Sequence, residues 1–139
     1  MKGELSELKK LIIFNFHTFV SHLKSHHLRM KIKPNFIALL TYLPSKDGVK
    51  TSPVSSGYRP SIKFPFDLEL YMGMQNFIGT DLVFPGDTAT AEIALLKSEY
   101  VTGKIYEGLD FDFFEGENLI GHGVVTKIIN PDDIDDSEE

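Results

Sequence analysis

The sequence predicts a small all-β domain, an antiparallel barrel of six or seven short strands preceded by one amphipathic helix. Three observations predict it. Residues 108–129 read as a long hairpin, because Leu109, Phe111 and Phe113 alternate with Asp110 and Asp112 before a turn at Glu115-Gly116-Glu117-Asn118. Residues 62–72 carry a second clean alternation, with Ile62, Phe64, Phe66, Leu68, Leu70 and Met72 on one side. Between such runs, Pro and Gly turn signals recur at the spacing of small barrels and sandwiches. Closure into a barrel removes the open edges that short strands would otherwise present.

The chain has 139 residues, enough for one domain with a real core, and a formal net charge of −6. The charge is divided along its length. Residues 1–33 hold seven bases and two acids, residues 34–129 seven bases and twelve acids, and residues 130–139 six acids and no base. A basic head, an acidic body and an acidic tail make one polarised molecule. No apolar run is long enough to cross a bilayer, so no membrane role is expected. The absence of cysteine excludes a disulfide framework, a thiol nucleophile and a Cys-based zinc site, and a cytoplasmic setting is the simplest reading.

Taken in order, Leu5, Leu8, Ile12, Phe16, Phe19 and Leu23 keep helical spacing and predict an amphipathic helix within residues 4–28. Two other readings stand beside it: a signal peptide, and an upstream extension with Met30 as the true start. Asn15, His17 and Thr18 interrupt the apolar region, and no small-residue cleavage site follows, which favours the helix. Pro34 stops helical continuation. Residues 36–43 read as a strand apolar on both faces, and residues 44–57 as a loop rich in Ser, Pro and Gly. Pro65 places a bend, bulge or edge within the 62–72 alternation. Residues 73–79 read as a break and 82–84 as a short strand. Pro85-Gly86-Asp87 is a turn with Pro and Gly in type II positions. Residues 88–96 form another strand and 97–103 a connection. In the closing strand Gly121 and Gly123 recur on one face, where Gly signals a bend or a close backbone approach. The organisation is thus 1–30 helix or extension, 31–129 barrel, and 130–139 acidic disordered tail.

Candidate chemistry is sparse. His22 and His26 lie four apart, a metal-compatible helical spacing, but no carboxylate completes a set, so no metal is expected. His122 stands alone between two glycines. Asp110 and Asp112 share an outward strand face with no His or Ser beside them in sequence, and solvated acids are the plainer reading. The chain is therefore expected not to be an enzyme and to need no cofactor.

Four segments in order carry a family resemblance: Gly57-Tyr58-Arg59-Pro60, Leu82-Val83-Phe84-Pro85-Gly86-Asp87, Glu107-Gly108-Leu109-x-Phe111, and Gly121-x-Gly123-Val124-Val125-Thr126-Lys127. Over residues 31–129 the chain resembles the C-terminal, third domain of elongation factor Tu. The resemblance implies a closed six-stranded Greek-key barrel. It also implies contact with the T-stem of tRNA and with protein partners. Neither a GxxxxGKS/T phosphate loop nor an NKxD occurs, so no GTP binding is expected and the likeness is to the barrel without its GTPase domain. Tyr58, Arg59, Lys97, Glu115 and Gly116 match positions of the family's contact face and are the RNA- or partner-binding candidates. Phe114 stands where the family has an arginine and Ser61 where it has a glutamine, and the 97–108 connection is longer. Loss of a cation, with an acidic barrel, opposes RNA. The expected function is a translation-related binding module for a protein partner or a second copy. A tRNA-binding barrel is the alternative, and no DNA is implied.

Overall fold

Alternation of apolar and polar residues is only as useful as the register that aligns it. In the computed structural model, which describes residues 33–45, 51–97, 99 and 101–130, that register closes a ring. The described strands are β1 (Phe36–Tyr42), β2 (Val54–Ser55), β3 (Ser61–Lys63), β4 (Leu70–Ile78), β5 (Leu82–Val83), β6 (Thr88–Leu95), β7 (Asp110–Glu115) and β8 (Asn118–Ile128). Six of them form a closed antiparallel barrel in the order β1-β6-β4-β3-β7-β8, while β2 and β5 pair as a separate ribbon. β3, β4 and β6 follow one another as neighbours, and β1 returns beside β6, which is Greek-key connectivity. At one end the chain's entry and exit are tied together, because Ile129 N donates to Asn35 O at 3.1 Å.

The closing hairpin stands as read. Asp110 faces Val124, Phe111 faces Gly123 and Phe113 faces Gly121, with a bulge between Phe113 and Phe114. The two glycines are there for space. A Cβ at Gly123 would lie 2.2 Å from Phe111 Cζ, and one at Gly121 would lie 2.4 Å from the Thr41 carbonyl oxygen and 2.5 Å from Phe113 Cζ. Two full-sized rings therefore fold over two empty positions of the facing strand. Phe36, Phe64, Phe111 and Phe113 are fully buried, and edge contacts link Phe36 to Phe111 at 5.7 Å and Tyr42 to Phe113 at 5.0 Å between centroids. Each such burial is worth about 1.5–3 kcal/mol. The 84–87 turn is also as read: Asp87 N donates to Phe84 O at 3.0 Å and Gly86 takes a φ of 87° at the third position.

Three expectations are corrected. The alternation over residues 62–72 is not one strand. The chain reverses at residues 64–69, where Asp67 N donates to Phe64 O, so that Lys63 faces Leu70 across the β3–β4 pair. Pro65 marks the reversal. Consequently Ile62 and Phe64 point inward, whereas Leu68, Leu70 and Met72 are exposed. Residues 73–79 are not a break, since β4 runs through Gly73 to Ile78 along β6. Finally, β1 is not apolar on both faces in effect: it alternates, with Phe36, Ala38, Leu40 and Tyr42 inside and Leu39 and Thr41 outside. The helix expected within residues 4–28, with His22 and His26, lies outside the described residues. So does the tail beyond residue 130.

Candidate binding rim

Strand direction decides which candidates meet. β7 ends at Glu115, at the end of the barrel where β3 begins, so the 116–117 turn and the loop before Ser61 share a rim. The Gly-X turn needs Gly116 at a φ of 63°, the left-handed conformation of a II′-type hairpin. Across this rim Tyr58 Oη donates to Glu115 Oε1 at 2.6 Å. Four of the five candidates, Tyr58, Arg59, Glu115 and Gly116, therefore lie on two loops tied by one side-chain bond. Lys97 does not join them. It lies two residues past Leu95, the last of β6, which points to the opposite end of the barrel, and its φ is 60°.

Beneath the rim is a polar pair that sequence reading missed. Gln75 N donates to Tyr58 O and Gly57 N to Gln75 O, each at 2.8 Å, which pins the loop to β4. The Gln75 side chain is fully buried and accepts from Tyr42 Oη through Oε1, while its Nε2 has no hydrogen-bond partner. Burial, then the neighbouring Tyr58 and Glu115, pushes the Tyr42 hydroxyl far above the usual phenol range. Burial and the bond to Glu115 do the same for Tyr58. Both stay neutral donors. Gln75 gave no signal because it sits in the stretch read as a break.

A second grouping joins two residues that stand apart in sequence. His122 faces Asp112 across the β7–β8 ladder, and Nδ1 lies 2.7 Å from Asp112 Oδ1, both side chains about half exposed. Asp112 thus has a histidine beside it. Folding the hairpin about Gly116-Glu117 would set Asp112 opposite Gly121, and the bulge between Phe113 and Phe114 moves its partner to His122. Asp110 faces Val124 instead. No group of three or more metal-binding side chains occurs among the described residues. Nor is any described helix long and apolar enough to cross a membrane.

The two departures from the family pattern turn out to be neighbours. Ser61 and Phe114 face each other between β3 and β7, so one patch beside the rim carries no charge at these two positions. Outside the rim, the barrel wall carries an apolar row. Ile78, Thr90, Leu39 and Val124 stand in register on four adjacent strands, and Ile78, Leu39 and Val124 are exposed.

No protein-family profile matches the chain. The apicoplast elongation factor Tu of Theileria parva is 30% identical over 115 residues, covering 78% of this chain and 27% of that relative. With the strand order and the four segments quoted above, this match makes the chain a homologue of elongation factor Tu, resembling its C-terminal barrel and spanning about a quarter of that relative's length.

Proposed function

We propose that the chain is a non-catalytic binding module that engages a protein partner in translation through its barrel surface. The observation that carries this reading is the row Ile78, Thr90, Leu39 and Val124. Large side chains at outward positions of β4, β1 and β8, with Thr90 of β6 between Ile78 and Leu39, make a largely apolar strip, where a solvated wall would alternate with charge. Homology to an elongation factor supports the translation setting. The cytoplasmic setting expected from the composition belongs to the same reading, whereas the matched relative is an apicoplast protein.

RNA binding is a second reading, favoured by one feature: the Tyr58–Glu115 bond holds Arg59 and Gly116 on a common rim. Against it stand the twelve acids to seven bases of residues 34–129 and the uncharged Ser61–Phe114 patch. A pull-down with the full chain is expected to retain a protein that Leu39→Asp loses, with tRNA showing no binding at low salt. If tRNA instead binds and weakens on the order of tenfold per two phosphate contacts between about 50 and about 200 mM salt, the RNA reading replaces it.

A further inference from the structure

The apolar row on the barrel wall runs across the strands, not along them. Ile78 pairs with Thr90, Thr90 with Leu39, and Leu39 with Val124, so one register line crosses β4, β6, β1 and β8. The same line reaches β7 at Asp110, which faces Val124 and is exposed. Leu39, Ile78 and Val124 keep 45%, 47% and 37% of their surface open to solvent. Barrel strands tilt by roughly 35–45° to the axis, so a line at right angles to them climbs the wall instead of circling it. A straight rod can follow it.

The ladder decides what kind of rod. Thr90, Leu39 and Val124 each have a paired strand on both sides, so the backbone here has no open edge for an added strand. Only side chains are on offer. An occupant must therefore satisfy its own backbone hydrogen bonds, which an α-helix does and an extended peptide does not. Spacing agrees. Adjacent strands lie about 4.8 Å apart, which puts Ile78 about 10 Å from Leu39 and Leu39 about 5 Å from Val124. A helix rises about 1.5 Å per residue, so positions i, i+7 and i+10 or i+11 fall at roughly the same intervals. Position i+3 or i+4 then lies over Thr90, and a long side chain at i+14 reaches Asp110.

We propose that an amphipathic helix of a partner protein lies along this line, across β4, β6, β1 and β8. This rests on the protein-binding reading above and names the partner's chemistry. The helix presents apolar residues at i, i+7 and i+10 or i+11 to Ile78, Leu39 and Val124, and a small residue to Thr90. A base at i+14 meets the Asp110 carboxylate, so charge also sets the direction of the helix.

The test selects phage-displayed random hexadecapeptides on the full chain and measures the winners by fluorescence anisotropy, circular dichroism and amide shifts. Expected winners carry the pattern above, gain helix on binding, and shift Ile78, Thr90, Leu39 and Val124 most. Leu39→Asp (Leu39→Ser if the former unfolds) should weaken them on the order of tenfold. Leu68→Asp, at an exposed turn beyond the opposite end of β4 from Ile78, should not. A Pro in the middle of the peptide should abolish binding. Asp110→Lys should weaken it, and exchanging the peptide's base for Glu should restore it. Winners that bind extended, shifts centred off the row, failure of the charge exchange, or no winners at all would overturn this inference. The protein-binding reading would still stand on the protein that Leu39→Asp loses from the pull-down. Shifts on the row that grow with protein concentration alone would make a second copy the occupant and overturn it too. So would displacement of the winners by a synthetic peptide of residues 4–28. Salt-sensitive tRNA binding lost in Arg59→Ala would overturn the broader reading, and this inference with it.

Discussion

Gln75 shows how one residue can link a core to a rim. Its backbone holds the Tyr58 loop and its side chain takes the Tyr42 hydroxyl inside the barrel. Tyr42→Phe removes that donor and leaves a buried amide with no partner at either atom, a cost of about 1–3 kcal/mol. Gln75→Leu orphans the Tyr42 hydroxyl in turn. The double variant Tyr42→Phe/Gln75→Leu removes both polar groups and should recover most of the loss, so urea unfolding should show coupling of about 1 kcal/mol or more. Strictly additive losses would mean that the pair is not a unit. At this scale, legibility depended on what a residue's type demands. Gly121 and Gly123 were legible because two glycines on one face of a Val-rich strand signal a bend or a close approach, and Phe111 and Phe113 fill that space. Gln75 was not, since a lone glutamine announces neither burial nor a partner.

The β3–β4 hairpin teaches the corresponding lesson about elements. Its six-residue reversal has even length, and Phe64 and Phe66 inside it are apolar and stacked at 5.2 Å, so the period-2 pattern runs through the turn unbroken. Only Pro65 betrayed the reversal. The hairpin is fastened by Tyr71 Oη, which donates to Asp67 Oδ2, with Glu69 N donating to Oδ1 at 3.1 Å. The Tyr71 bond, then the Glu69 amide, holds the Asp67 carboxyl below its usual range, and the bond to Asp67 pushes the Tyr71 hydroxyl up to about 12. A lowered Asp67 stabilises the fold above about pH 4 and loses its effect as pH falls through the folded value. A raised Tyr71 stabilises it below about pH 10 and loses its effect as pH climbs through the folded value. Tyr71→Phe should therefore lower the urea midpoint most near neutrality, with the gap to the parent protein narrowing toward about pH 2. A gap of constant size would contradict the assignment.

For the molecule as a whole, closure of the barrel was legible from strand count and spacing, and the order of its strands from the family resemblance. The grouping of the candidates was not. Tyr58, Arg59, Glu115 and Gly116 converge while Lys97 lies at the far end, because strand direction around a closed ring decides which loops share a rim. Motif spacing carries no such direction. The His122–Asp112 pair likewise needed a register, and a bulge, to appear.

The bond between Asn35 and Ile129 has a use beyond stability. Because β1 lies zipped between β6 and β8, the domain begins and finishes at a single seam, and its covalent order can be rewired there. Joining residue 33 to residue 130 through a short Gly-Ser linker and cutting between Gly116 and Glu117 should give a circular permutant with the same β-sheet spectrum and cooperative melting. Loss of folding would mean that the β7–β8 turn must be continuous for the barrel to form. A scaffold with one such seam can be spliced into a host polypeptide as a cassette, both joints falling at one end of the barrel.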